Sequence, residues 1–84
     1  MIEIVSDNRV ISFDGRILEV FQSDGNAVRL HIALIRSIVL EEKRRSYRIS
    51  IGYTAHNLPK VFFIEDPELT QAQHFVSVVN DAIR

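Results

Sequence analysis

Short segments in which apolar and polar residues alternate fill most of the first 64 positions. The clearest lies at residues 47–53, where Tyr47, Ile49, Ile51 and Tyr53 fall on one side and smaller or polar residues on the other. A period of two places successive side chains on opposite faces of a β-strand, so that one face is buried and the other is solvated. The same reasoning predicts strands at residues 2–4, 9–13, 16–22, 27–32, 37–42, 47–53 and 61–64. The last of these is a continuous apolar run, which is typical of a strand covered on both sides.

Polar and glycine-containing turns separate these segments. Asp14-Gly15 predicts a tight type I′ hairpin, and further turns are expected near Asp7-Asn8 and at residues 23–26 and 41–46. Residues 52–59 read as a loop. The stretch 32–36 is ambiguous because its apolar residues interrupt the strand alternation. It is either one helical or 3₁₀ turn, which we favour, or a continuous strand with a β-bulge.

The hydrophobic period lengthens near the end of the chain and predicts one amphipathic helix. Its apolar stripe consists of Leu69, Ala72, Val76, Val79 and Ile83. Asp66 can cap the first turn, Pro67 suits the first helical position, and Glu68 complements the positive end of the helix dipole. Arg84 provides a cation at the opposite end. The helix is therefore expected over about residues 67–83, within roughly two residues at each end.

Strands followed by one helix predict an α+β fold, a curved antiparallel sheet capped by a C-terminal helix. About seven strands do not stay flat, so the twist should curl the sheet into a partly closed barrel or a sandwich. The predicted core residues are Val28, Leu30, Ile38, Leu40, Ile49, Ile51, Leu69, Val76 and Val79. No linker or repeat divides the chain, so residues 1–84 are expected to form a single domain.

Three segments of the chain resemble the bacterial pleckstrin-homology-like (PH-like) domain family, whose small members have no assigned function. They are the hairpin at residues 11–20, the basic-apolar turn at residues 29–38, and residues 61–64 leading into Asp66-Pro67. The resemblance implies a bent seven-stranded sheet and a C-terminal helix. Members that bind phosphoinositides carry several cations in the first hairpin, whereas Ser12–Arg16 has one Arg and one Asp here. Lipid-headgroup binding is therefore not implied.

Composition and motifs narrow the chemistry that the chain can perform. The 84 residues carry 10 Lys and Arg against 11 Asp and Glu, a net charge of −1, unlike a globally basic nucleic-acid-binding domain. The absence of Cys excludes disulfides, thiolate metal sites and a cysteine nucleophile. His31, His56 and His74 have no metal-ligand spacing, so no metal and no cofactor is expected. With no catalytic motif in so small a chain, we expect that it is not an enzyme.

Neither a transmembrane segment nor a signal peptide is predicted, because the apolar runs are short and the N-terminus lacks a basic region followed by an apolar one. A cytoplasmic location is the default expectation.

The remaining local feature is charge: Lys43, Arg44, Arg45 and Arg48 cluster beside Glu41 and Glu42. The favoured interpretation is a solvated hairpin tip with internal ion pairs. The other is a site that contacts an anion.

Two functional hypotheses from different classes follow. The favoured one is a small, non-catalytic interaction module that binds a protein partner or a second copy of itself, through a helix face or a sheet edge. The alternative is an anion-binding module that contacts nucleic acid or acidic lipid through the basic cluster at residues 43–48.

Overall fold

The computed structural model describes residues 1–6 and 9–83, and their fold is α+β. In this part of the chain, seven strands precede one helix. They are β1 (Ile2–Ser6), β2 (Arg9–Phe13), β3 (Ile17–Phe21), β4 (Ala27–His31), β5 (Ile35–Glu42), β6 (Tyr47–Ala55), β7 (Leu58–Glu65) and α1 (Leu69–Ile83). The turn predicted at Asp7-Asn8 and the helix-terminal Arg84 lie outside the described residues.

The strands form two antiparallel sheets, in the orders β1-β2-β3-β4 and β5-β6-β7. The chain passes from the first to the second through a single 3₁₀ turn at Ile32–Leu34, which confirms the favoured interpretation of the ambiguous segment. His31 caps this turn, its Nδ1 accepting a hydrogen bond from the Ala33 N–H at 3.0 Å. The alternative, a continuous strand with a bulge, is wrong because β4 ends at His31. The pairing register does shift within β5, between Ile35 and Ser37.

One helix covers both sheets. It packs mainly on β5 and also contacts β1 and β6, while the Asn80 side-chain amide donates to the Ile38 carbonyl at 3.0 Å. The fully buried side chains come from all three layers: Ile11, Leu18, Val20, Ile49, Ile51, Ile64, Ala72, Phe75 and Val79. Burial of a large apolar side chain stabilises the fold by about 1.5–3 kcal/mol, so these contacts dominate its stability.

The predicted core is correct in part. Leu30, Ile38, Ile49, Ile51 and Val79 are buried as expected. Four others are only half-buried, namely Val28, Leu40, Leu69 and Val76. The centre of the helix face is Phe75, flanked by Ala72 and Val79. Val76 therefore lies at the edge of the apolar stripe, which the period alone does not reveal.

The helix begins two residues later than predicted, and its cap is Glu68 rather than Asp66. The Glu68 carboxylate accepts hydrogen bonds from the N–H groups of Gln71 at 2.9 Å and Thr70 at 3.1 Å. These bonds hold the pKa of Glu68 below its usual value. Asp66 lies at the start of the connection from β7 to α1, where it has a φ of 54° and its backbone N–H donates to the Tyr47 carbonyl at 3.0 Å. Pro67 precedes the cap instead of occupying the first helical position.

Two hairpins differ from their predictions. The segment 52–59 is not a loop, because β6 and β7 run through it and leave only His56 and Asn57 as the turn. Both residues have positive φ, 52° and 64°, as a type I′ turn requires.

In the first hairpin the Asp14 N–H donates to the Ile17 carbonyl at 3.3 Å. The central residues are thus Gly15 and Arg16, and only Gly15 has positive φ, at 102°. A type I′ turn requires positive φ at both central residues, so the predicted I′ turn on Asp14-Gly15 is wrong.

The type I′ turn at His56 and Asn57 predicts a substitution that stabilises the fold. His and Asn adopt the left-handed region less readily than the Asn-Gly pair that this turn prefers. Replacing His56 by Asn and Asn57 by Gly together should raise the free energy of unfolding by about 0.5–1 kcal/mol, because relief of left-handed backbone strain, about 1–2 kcal/mol per residue, outweighs the entropy that glycine adds to the unfolded chain. Urea denaturation measures the change. An unchanged or lower stability would mean that this turn is not strained.

Candidate interaction surface

The four predicted cations lie at one end of the second sheet and are named here the basic tip: Lys43, Arg44, Arg45 and Arg48. The loop between β5 and β6 closes with a hydrogen bond from the Lys43 N–H to the Ser46 carbonyl, 2.8 Å long. Arg44 and Arg45 are exposed in this loop. Arg48 lies on β6 opposite Glu41 of β5 and Glu65 of β7. The structure therefore brings all four to one end of the sheet.

Two of the four cations are already paired within the protein. The Lys43 Nζ lies 2.5 Å from the Glu65 carboxylate, and the Arg48 Nε lies 2.9 Å from that of Glu41. Pairing with Glu41 agrees with the solvated-tip interpretation. Glu65 contributes from β7, which the sequence does not reveal, because the contact depends on strand register. In the described part of the chain, neither Arg44 nor Arg45 forms an ion pair.

Arg48 also packs on an aromatic ring, with its Cζ 4.2 Å from the centroid of Phe63. A guanidinium over an aromatic face is attracted by the ring quadrupole, and its stem covers apolar surface. Arg48 is thus held from two directions, whereas Arg44 and Arg45 are exposed. Its interactions identify it as a structural residue of the sheet.

The outer face of the second sheet, turned away from α1, carries exposed apolar side chains. Strand register places two cross-strand rows side by side there: Val39–Ser50–Phe63 and Ser37–Gly52–Val61. Exposure is 48% for Val39, 58% for Val61 and 38% for Phe63. The exposure of Val61 and Phe63 contradicts the prediction that residues 61–64 are covered on both sides. Only Ile64 of this run is fully buried.

The middle strand of this face presents small residues. Ser50 and Gly52 of β6 lie between Val39 on one side and Val61 and Phe63 on the other. A Cβ on Gly52 would lie 2.8 Å from the Ser37 Oγ, so the Ser37 hydroxyl occupies the space that a side chain at position 52 would need. The result is a strip of small residues along β6, with Val39 on one side and Val61 and Phe63 on the other. We call it the β6 channel, defined by Ser37, Val39, Ser50, Gly52, Val61 and Phe63.

A depression of about 320 Å³ lies at the end of the β6 channel opposite to the basic tip. Its lining consists of Arg36, Ser37, Gly52, Pro59, Lys60 and Val61, and we call it the basic depression. A smaller depression, of about 180 Å³, lies between β1 and α1 and includes Glu3 and His74.

The outer face of the first sheet has a different character. One row across its four strands is apolar, formed by Val5, Val10, Phe21 and Ala27. The row beside it is polar and includes an ion pair of 2.8 Å between Glu19 and Arg29. Val5 and Phe21 are 64% and 42% exposed. This face provides a matched comparison for the channel, since both present valine and phenylalanine to solvent.

The histidines and the shifted carboxylates have local structural roles. His31 caps the 3₁₀ turn and His56 forms the I′ turn. Asp14 and Asp24 have lowered pKa values because turn N–H groups donate to them. Among residues 1–6 and 9–83, no three His, Asp or Glu side chains gather closely enough to hold a metal ion.

Comparisons with known proteins add no assignment. No protein-family model matches the chain, and no curated protein matches it. Within the described residues, no helix is both long and apolar enough to cross a membrane.

Because Arg48 is held by both an ion pair and an aromatic ring, its removal should destabilise the fold more than the removal of Arg44. Arg48→Ala should lower the free energy of unfolding by about 1 kcal/mol, combining an exposed ion pair with a cation–π contact. Arg44→Ala, the matched control, should change it by less than about 0.5 kcal/mol, as is usual for surface positions. Urea denaturation of both variants checks this expectation. Equal losses would show that the contact with Phe63 contributes nothing.

Proposed function

We propose that this protein is a small, non-catalytic interaction module that binds a protein partner in the β6 channel. The observation that carries the proposal is the joint exposure of Val39, Val61 and Phe63 around the small residues of β6. Contiguous exposed apolar side chains with a polar rim are typical of interaction sites. Their positions are not required by the core, because the inward residues of the same strands already fill it.

The shape of the channel favours an extended segment of a partner. Small residues at Ser50 and Gly52 let a second backbone approach β6 closely, while the flanking strands supply apolar contacts for its side chains. The sheet itself supplies a rigid base, since its inner face is packed against α1. A preformed, rigid surface lowers the entropic cost of binding.

Anion binding through the basic tip is less favoured. Glu65 and Glu41 neutralise Lys43 and Arg48, so only Arg44 and Arg45 remain to face a phosphate. Affinity for nucleic acid or acidic lipid depends on the number of neutralised phosphates, and two contacts give weak, salt-sensitive binding. The proposal therefore assigns the tip a mainly structural role.

We further propose that the chain belongs to the bacterial PH-like family and acts in the cytoplasm. The family assignment is supported by the order of the elements, which is four strands, a turn, three strands and a C-terminal helix. Support for a bent, partly closed arrangement comes from the hydrogen bond that the Ser6 hydroxyl of β1 donates to the Glu65 carbonyl of β7. Such scaffolds host unrelated functions, so the surface rather than the family carries the functional argument.

Selection of binders from a library of random peptides tests the proposed function. Wild-type protein should enrich peptides that share a motif. The double variant Val39→Ser/Val61→Ser should weaken the best peptide at least about tenfold, equivalent to a loss of about 1.4 kcal/mol of binding free energy. Both positions are largely exposed, so the thermal midpoint should stay within a few degrees of the wild type.

The matched control is Val5→Ser/Phe21→Ser, which removes apolar side chains from the other sheet. It should retain peptide binding. Failure to enrich any motif, or equal binding by wild type and Val39→Ser/Val61→Ser, would refute the proposal. Loss of binding in the control alone would place the interaction surface on the first sheet.

A further inference from the structure

β7 is the last strand of the second sheet, so in the part of the chain that the structure describes one of its edges has no neighbouring strand. The Asp66 N–H, just beyond β7, donates to the Tyr47 carbonyl of β6 at 3.0 Å. Backbone groups of successive residues in a strand point alternately to its two sides. The even-numbered residues from 58 to 66 therefore direct their N–H and C=O groups toward β6. The odd-numbered residues from 59 to 65 direct theirs toward the open side, which we call the β7 edge.

The contact with β1 agrees with this alternation and shows how far the β7 edge is open. The Ser6 hydroxyl donates to the Glu65 carbonyl, which must therefore point away from β6, and β1 covers the edge at this residue. Val61 and Phe63 lie further along the edge and are exposed. Within residues 1–6 and 9–83, no group outside β6 forms a hydrogen bond with either backbone. Two N–H groups and two carbonyls of the edge thus remain open to a partner.

The opposite edge of the same sheet is covered. There the Asn80 side chain of α1 donates to the Ile38 carbonyl of β5 at 3.0 Å, and the helix packs mainly on this strand. Among the described elements, by contrast, only β6 makes extensive contact with β7. A row of unpaired backbone groups beside exposed apolar side chains is a template for a further strand. The second sheet therefore has one edge that can accept an added strand.

Pro59 decides between a second copy and a different protein as the occupant. In two-fold antiparallel pairing centred on Val61, the Phe63 carbonyl of each copy would face Pro59 of the other, which has no N–H. Moving the centre toward Phe63 would place the second copy against Glu65, which β1 covers through Ser6. Moving it toward Pro59 would leave the Val61 carbonyl without a donor instead. A segment with an N–H at each position satisfies the edge fully, which favours a different protein.

We propose that an apolar, extended segment of the protein partner adds to the β7 edge as a further strand of the second sheet, hydrogen-bonded to the backbones of Val61 and Phe63. The inference rests on the proposed function for the nature of the occupant, and it assigns the contact to main chain as well as to side chains. Outward side chains of the segment lie beside Val61 and Phe63 and extend the apolar outer face. Inward ones cover Phe62, which is half-buried. Both faces of the added strand are therefore apolar.

N-methylation of the best peptide from the selection tests main-chain pairing on the wild-type protein. Each backbone N–H of the peptide is methylated in turn. Alternate N–H groups of an added strand face β7, and those between them face solvent. Methylation should therefore weaken binding at least about tenfold at every second position of the paired stretch, and less than about threefold at the positions between. Losses without this alternation would overturn the inference.

Two substitutions at Val61 separate the main chain of the β7 edge from its side chains. Val61→Pro removes the N–H that faces the open side, and a proline so oriented leaves the hydrogen bonds to β6 in place. Val61→Ala keeps this N–H and removes more apolar surface than the proline does. Val61→Pro should bind the peptide at least about fivefold more weakly than Val61→Ala, with thermal midpoints establishing that both are folded. Equal affinities, or the reverse order, would contradict an added strand.

The failures of the two proposals are distinguishable. A peptide that needs Val39 but shows no alternation on methylation would leave the proposed function standing and refute only the added strand. Alternation in a peptide that is insensitive to Val39→Ser would support the added strand and refute binding in the β6 channel. Failure to enrich any peptide would refute both. Sedimentation equilibrium should show a monomer, and a dimer dissociated by Val61→Pro would assign the β7 edge to a second copy and overturn the inference.

Discussion

Burial of one helix face against two sheets is the interaction on which the rest of this structure depends. Ala72, Phe75 and Val79 are fully buried, and through them a single 15-residue helix closes the core of both sheets. The inward-facing residues of the strands in both sheets complete the same core. The inner faces of the strands are therefore committed to folding, and binding chemistry is confined to outer faces, turns and edges.

The outer faces of the two sheets are therefore the surfaces that remain available for binding. On the second sheet, small residues of β6 lie between apolar residues of its neighbours, and cations occupy both ends. At the tip end, Glu41 and Glu65 neutralise Arg48 and Lys43, so the charge there stabilises local structure. The density of basic residues in the sequence does not show which of these charges are paired.

Much of the fold could be predicted from local patterns. Alternation and turn signals identified six strands, and a continuous apolar run indicated the seventh. The change of period identified the helix, and the interruption of alternation favoured the 3₁₀ turn. The errors arose where local signals compete. Asp66 and Glu68 are both candidate caps in the sequence, and the structure shows that Glu68 accepts the N–H groups of Gln71 and Thr70. The apolar run at residues 61–64 is compatible with one or two covered faces, and only the packing of α1 on one side of the sheet resolves it.

The candidate site was less predictable because it depends on tertiary relations. Lys43 and Glu65 are 22 positions apart and meet only through strand register. The basic depression needs a register shift in β5 beside a glycine in β6, and neither signal is strong in the sequence. Gly52 was identifiable as an isolated glycine, but its role follows from the 2.8 Å approach to Ser37.

Backbone amide hydrogen exchange with and without a selected peptide tests most directly whether the outer face of the second sheet is the binding surface. The account predicts that the peptide slows exchange in the outward-facing segments near residues 36–39, 50–52 and 59–63, while β1 to β4 stay unchanged. Slowed exchange confined to the loop at residues 43–46, or to the first sheet, would contradict it.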